Sequence, residues 1–198
     1  MKKIEEIIRK FRVVSKEKSK IEPSFIKIER NIYTLANGSI LERETILKKK
    51  QDGSYGDGSA AIIVPITKEG EMIMTVESRV NTVEGVAVGL PAGYKEDEGM
   101  LATSDRELTE ETGYKAESMV VIGGAYQDEG CSRAYNSIIL ATGCIKVSEQ
   151  MLDKDEFIEF VLVDIKEAYR MLENDEIKSS NAQLALYKAK PYLKEYLK

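Results

Sequence analysis

The chain has 198 residues, of which 42% are apolar and 32% charged, and its net charge is −5. These proportions are typical of a globular protein with a sizeable core, and the acidic balance argues against binding to a nucleic-acid backbone. The chain contains no histidine, which excludes histidine both as an acid–base catalyst and as a metal ligand.

The apolar runs and the cysteines indicate the cellular location of the protein. No apolar run is long enough to span a bilayer, and the charged segment 1–10 lacks the apolar centre of a secretion signal. Cys131 and Cys144 are the only cysteines and form no CxxC pair, so we expect two reduced thiols. We therefore expect a cytoplasmic protein that binds neither membranes nor nucleic acids.

Hydrophobic periodicity and turn residues predict alternating helices and strands. The segment 49–59 carries three glycines and is predicted to be a linker, 80–90 is predicted to be irregular, and Pro191 is expected to interrupt the last helix. In chain order, we expect a helix over 2–13, strands over 24–35 and 40–48 joined by an Asn37-Gly38 turn, strands over 60–67 and 71–78, a helix over 99–112 stopped by Gly113, strands over 118–126, 134–142 and 157–163, and helices over 165–174 and 180–197.

The helix over 99–112 carries an unusual concentration of acid. Glu107, Glu110 and Glu111 fall within an arc of about 100°, where like charges repel each other and the negative end of the helix dipole adds to the penalty. A divalent cation would reverse both penalties, and hard oxygen ligands favour Mg²⁺ or Mn²⁺. A solvated acidic face is the alternative. Leu101, Leu108 and Thr112 form the adjoining face, which we expect to pack on a sheet.

The full motif is more specific than the glutamates alone. Gly93 is followed by Glu98, then by the run Arg106-Glu107-Leu108-Thr109-Glu110-Glu111-Thr112-Gly113. This pattern resembles the motif of the Nudix hydrolase family, although the interval from Gly93 to Glu98 is one residue shorter. The resemblance implies an α+β fold, in which an α/β/α sandwich with a mixed sheet over 58–198 follows a small N-terminal unit over 1–57 that contains a helix and an antiparallel β-hairpin.

The resemblance also implies roles for individual residues. Glu107 and Glu111 would be the main metal ligands, with Glu110 close by, and the Ala92 carbonyl and Glu98 would complete the site. Arg106 would hold the carboxylates through ion pairs, with Glu98 as one partner. Gly93 and Arg79 are the candidates for contact with the substrate.

Several segments resemble the ADP-ribose pyrophosphatase branch of the family. They are the N-terminal β unit with Leu41-Glu42-Arg43-Glu44, the Leu90-Pro91-Ala92-Gly93 stretch, and Asp155-Glu156-Phe157-Ile158-Glu159. In that branch the N-terminal sheet is exchanged between the subunits of a dimer, so a homodimer is expected. Two positions depart from the branch: Gly89 and Ala134 stand where it has glutamates.

The implied activity is Mg²⁺-dependent cleavage of the pyrophosphate of ADP-ribose or a related nucleoside diphosphate sugar. The products would be a nucleoside monophosphate and a sugar phosphate. Because Ala134 replaces the expected loop glutamate, Glu110 or Glu129 is the candidate base, with Asp128 as an alternative to Glu129. Two other functions stay open: a nucleotide-sugar sensor that does not cleave its ligand, and a Nudix hydrolase for another nucleoside diphosphate derivative.

Overall fold

The computed structural model describes residues 2–198 and begins with helix α1. This helix spans Lys2–Phe11, two residues less than predicted. It buries Ile4 and Ile7 on one face, as the helical spacing of its apolar residues requires.

A small antiparallel sheet follows, in the order β1-β2-β3. Its strands are β1 (Ile26–Thr34), β2 (Ile40–Lys49) and β3 (Tyr55–Gly56). The predicted turn between β1 and β2 is confirmed, with Gly38 at φ +82° and its N–H donated to the Leu35 carbonyl. The predicted linker over 49–59 is wrong in part, because a second turn brings β3 back to pair with the end of β2.

The second sheet contains eight strands in the main order β11-β5-β4-β10-β8. Strands β4 and β10 are parallel, whereas their other pairings are antiparallel, so the sheet is mixed. The strands are β4 (Ala60–Thr67), β5 (Glu71–Ser78), β6 (Val86–Gly89), β7 (Ala92–Tyr94), β8 (Tyr114–Lys115), β9 (Ser118–Tyr126), β10 (Tyr135–Lys146) and β11 (Ile158–Asp164).

Helices cover both faces of this sheet. They are α2 (Met100–Thr112), α3 (Ile165–Glu173) and α4 (Ser180–Ala189), and a 3₁₀ turn over Lys190–Tyr192 follows α4 at Pro191. Alternate residues of β4 enter different cores: Ile62 joins the core that includes α1, α3 and α4, whereas Ile63 joins Leu108 of α2. The predicted α+β fold with its mixed sheet is therefore confirmed.

The differences from the predicted elements are confined to short pieces. Strand β6 lies within the segment 80–90 that was expected to be irregular, and β7 and β8 were not predicted. The helix predicted over 180–197 ends as an α-helix at Ala189. Across residues 2–198, no helix combines the length and apolar character needed to cross a membrane.

Candidate active site

Helix α2 is bounded by two glycines that serve different purposes. Gly99 precedes it in an extended conformation, and Gly113 ends it at φ 73°, donating its N–H to the Thr109 carbonyl. A side chain at position 113 would meet the Ser148 carbonyl oxygen at 2.1 Å. The predicted glycine stop is confirmed. Both the left-handed backbone conformation and the close approach of the Ser148 carbonyl disfavour any other residue at position 113.

The buried face of α2 differs from the predicted one in its first turns. Leu108 and Thr112 are buried as expected, but Leu101 is 44% exposed, and Thr103 and Ser104 are buried instead. The prediction for Leu101 is therefore wrong. The buried face in the first turns of α2 is instead formed by the small side chains of Thr103 and Ser104.

Glu107 and Glu111 lie against the turn that connects β6 to β7. Oε2 of Glu111 accepts a hydrogen bond from the Ala92 N–H at 3.2 Å. A Cβ at position 93 would come within 1.9 Å of the Glu107 carboxyl carbon. The fold thus brings together the Ala92-Gly93 turn and the two predicted ligands, although the observed contact is made by the N–H of Ala92.

Arg106 binds three carboxylates on the same side of α2. Its Nε lies 2.9 Å from Glu98, and its Nη1 lies 2.9 Å from both Glu107 and Glu110. The expected ion pair with Glu98 is present despite the shortened interval after Gly93. A guanidinium shared in this way restricts the orientation of each carboxylate.

Burial makes the two inner carboxylates unusually basic. The pKa of Glu107 is raised to about 7 by desolvation, which outweighs the opposing effect of Arg106. The pKa of Glu111 is raised well above its ordinary value by desolvation and by the negative charges of Glu77 and Glu107. Both groups would bind a cation in place of a proton.

Two acids that had no assigned role join this group. Glu77, on β5, has its pKa raised by burial and is paired with Arg79 at 2.9 Å. Glu156 precedes β11, and its charge contributes to raising the pKa values of Glu77, Glu107 and Glu111. Glu77 follows apolar residues at the end of a strand, and Glu156 lies in the stretch 155–159. Neither position in the sequence predicts that the two acids come close to Glu107 and Glu111.

The donor set fits a hard divalent cation. Within residues 2–198, no three acidic or cysteine side chains are already arranged around a common point, because Arg106 engages Glu107 and Glu110 while Ala92 engages Glu111. Even so, the buried Glu111 and the partly buried Glu107 supply oxygen ligands whose mutual repulsion a divalent cation would offset.

The remaining candidates lie in different surroundings. Glu129 is exposed in a loop closed by Asp128, whose carboxylate accepts bonds from the Gly130 N–H and the Cys131 thiol. Ala134 is fully buried. Arg79 lies at the edge of the acidic group through its bond to Glu77, which leaves contact with substrate a prediction.

The close approach at Gly93 provides a direct test of this geometry. We expect Gly93→Ala to displace the Glu107 carboxylate and to weaken Mg²⁺ binding and turnover by at least about tenfold, since metal ligands must be placed precisely to within a few tenths of an ångström. Gly99→Ala is the matched control, because a Cβ there meets nothing within 4 Å. Equal Mg²⁺ affinities for the two variants, measured by calorimetry, would contradict the assignment.

Comparison with known proteins identifies the family. The family model described as NUDIX domain matches residues 57–184. The chain belongs to the Nudix family. This result confirms the predicted family, and with it the prediction of a pyrophosphohydrolase. The Nudix motif accounts for the acidic helix, for Gly93 and for Arg106, whereas α1 and the whole N-terminal sheet, which ends at Gly56, lie outside the matched residues.

Curated relatives and solved structures agree with this assignment. The chain is 31% identical to an ADP-ribose pyrophosphatase of Bacillus subtilis, over 77% of this chain and 78% of the relative. It is 29% identical to a methanol dehydrogenase activator of Bacillus methanolicus, over 81% and 83%. A crystal structure of an ADP compounds hydrolase matches with a TM-score of 0.70 at 19% identity, covering 90% of this chain and 91% of that one, and supports the fold.

Proposed function

We propose that this Nudix protein hydrolyses the pyrophosphate of ADP-ribose or a related nucleoside diphosphate sugar, using Mg²⁺ or Mn²⁺. The observation that carries the proposal is the placement of buried Glu111 and partly buried Glu107 between α2 and the Ala92-Gly93 turn. Relatives named ADP-ribose pyrophosphatase and, in Mus musculus, ADP-sugar pyrophosphatase support the substrate class. The products would be a nucleoside monophosphate and a sugar phosphate.

Each residue of the site has a proposed task in this reaction. Glu107 and Glu111 would hold the metal, with Glu110, Glu98 and the Ala92 carbonyl as further candidate ligands. When bound, the metal would neutralise the charge of the phosphates and acidify a water molecule. Arg106 would keep the carboxylates in place, and the missing Cβ of Gly93 leaves the space that Glu107 occupies.

We propose Glu156 as the base, in preference to Glu110 and Glu129. Glu110 is engaged by Arg106 at 2.9 Å, and Glu129 is exposed in the loop between β9 and β10. Glu156 is exposed, accepts the Asp153 N–H and acts electrostatically on both proposed metal ligands. The water oxygen would form a bond to phosphorus as the bond between phosphorus and the bridging oxygen breaks. The Glu156 carboxylate would take a proton from that water, and the leaving phosphate would keep the bridging oxygen.

Incubation with a panel of compounds tests the activity. Purified protein with Mg²⁺ or Mn²⁺ would be given ADP-ribose, other nucleoside diphosphate sugars, dinucleoside polyphosphates and dinucleotide cofactors, with products followed by phosphorus NMR. We expect AMP and ribose 5-phosphate from ADP-ribose. Cleavage of another class alone would contradict this substrate, and binding across the panel with no cleavage would favour the sensor.

The N-terminal sheet supports the proposal of a homodimer. Its residues Ile28, Ile32 and Ile40 are exposed, and β1 is an edge strand with no partner on its outer side within residues 2–198. Exposed apolar strands at an edge favour pairing with another chain.

We propose a domain boundary near residue 57, with α1 belonging to the core of the larger unit. We also propose a cytoplasmic location for the protein.

Light scattering of two variants tests this dimer. We expect a dimer mass at micromolar concentration, and we expect Ile32→Lys to shift it to the monomer because a charge would be buried at the contact. Ile21→Lys is the control, since Ile21 is an exposed isoleucine outside the sheet. A monomer mass for the unaltered protein would rule the dimer out.

A further inference from the structure

Helix α1 lies outside the residues matched by the family model but belongs to the core of the catalytic unit. The match begins at residue 57, whereas Ile4 and Ile7 belong to the same buried cluster as residues of β5, β6 and β11, the strands that α1 contacts. The exposed segment 12–25 then leads away from α1 to the N-terminal sheet. Because the apolar face of α1 is buried in this core, the residues on its other faces have defined positions relative to the strands.

Three contacts join α1 to the residues that immediately follow Glu156. The rings of Phe11 and Phe157 meet edge to face, with centroids 6.4 Å apart. Lys10 forms an ion pair with Glu159. Lys3 donates from Nζ to the Phe160 carbonyl at 3.5 Å.

The turn that carries Glu156 is anchored on its other side by the Gln150 side chain and by one backbone hydrogen bond. Gln150 Nε2 donates to the Glu111 carbonyl at 2.6 Å and to the Ile158 carbonyl at 3.3 Å, and Ser78 donates its N–H to the Phe157 carbonyl. These bonds hold the backbone on both sides of the turn over 153–156. The Phe157 side chain is 56% exposed and makes its ring contact with Phe11.

Glu156 and the two rings line one open groove of about 490 Å³ beside β11. The groove therefore joins α1 to the same turn whose carboxylate acts on Glu107 and Glu111. Displacement of Phe157 would move its neighbour Glu156 relative to the acidic group. A shift of about 1 Å in a catalytic group can lower a rate by about a hundredfold.

We propose that Phe11 is a positioning residue, which holds Phe157 and thereby sets the place of Glu156 in the reaction. This inference rests on the proposed role of Glu156 as base. The ion pair of Lys10 and the hydrogen bond of Lys3 join α1 to β11 at two further points. Through Phe11, α1 thus contributes to hydrolysis even though it lies outside the family's matched region.

A double-mutant cycle tests the inference. We expect Phe11→Ala to lower kcat by about tenfold with KM and Mg²⁺ affinity nearly unchanged, and Phe11→Tyr to retain the unaltered kcat because it keeps the ring. In a Glu156→Gln background, Phe11→Ala should lower kcat no further. Arg9→Ala is the matched control on the same helix, since its side chain is 80% exposed. Phe11→Leu, which keeps the apolar volume, replaces Phe11→Ala should that variant not fold.

The outcomes separate the two proposals. Wild-type kcat for Glu156→Gln would refute the base and, with it, the positioning role. An impaired Glu156→Gln beside an unimpaired Phe11→Ala would overturn the positioning role alone. Equal losses from Phe11→Ala in both backgrounds would also overturn it, because Phe11 would then act by a route other than Glu156.

Discussion

Glu111→Gln is expected to lower turnover by at least about a hundredfold, since stabilisation of phosphate charge by a bound metal supplies several kcal/mol. The amide keeps the size of the side chain and can still accept the Ala92 N–H, but it removes the negative charge that a cation requires. Turnover would be measured with ADP-ribose at saturating Mg²⁺, together with Mg²⁺ affinity by calorimetry.

The fold of this variant should survive and gain stability without metal. Burial raises the pKa of Glu111 in the folded protein, so its contribution to stability is full at low pH and is lost as pH rises through the folded pKa. An amide is always neutral and avoids that loss. The melting temperature at pH 8 in EDTA should therefore be at least that of the unaltered protein.

Glu149→Gln provides the matched control for Glu111→Gln. The Glu149 side chain is 97% exposed and pairs only loosely with Lys146, at 3.8 Å, so we expect unchanged turnover and Mg²⁺ affinity. Unchanged turnover of Glu111→Gln at saturating Mg²⁺ would remove Glu111 from the list of metal ligands.

Glu156→Gln is expected to lower kcat by about a hundred- to ten-thousandfold, the usual contribution of a residue that transfers a proton. An amide cannot accept the proton of the attacking water, but it preserves the size of the side chain and its acceptor for the Asp153 N–H. KM and Mg²⁺ affinity should therefore change little. Single-turnover measurements would separate the loss in the chemical step from product release.

Glu129→Gln is the comparison that decides between the candidate bases. Glu129 is exposed in a loop that is closed by the side chain of Asp128, so its substitution should leave kcat nearly unchanged. A large loss from Glu129→Gln beside normal turnover of Glu156→Gln would transfer the role to Glu129. Normal kcat in both variants would point to Glu110 on the helix.

The sequence by itself determined the acidic helix and the longest elements around it. Glu107, Glu110 and Glu111 are neighbours on one face for reasons of helical period alone, and Gly113 ends the helix because it takes a left-handed conformation. Strands β4 and β5 have the predicted bounds. Such features depend on residues close together along the chain, so local propensity and periodicity suffice to predict them.

Only the tertiary structure decided which acids surround that helix. Glu77 and Glu156 are 79 residues apart in the sequence, yet both act on Glu111. The pairing of β5 with β11 brings their backbones together, with Glu77 opposite Ile158. The order of strands in a sheet follows from the packing of the whole chain, and no local pattern records it.

The short strands and helix α1 belong to the same class of feature. Strands β7 and β8 have three and two residues, too few to show a period, and they form because β4 and β10 offer free hydrogen-bonding edges. The amphipathic pattern of α1 predicts a helix but does not indicate which elements its apolar face packs against. Ile4 and Ile7 are buried in the catalytic core, and Phe11 contacts Phe157. Both results depend on the shape of the surface that the folded strands present to α1.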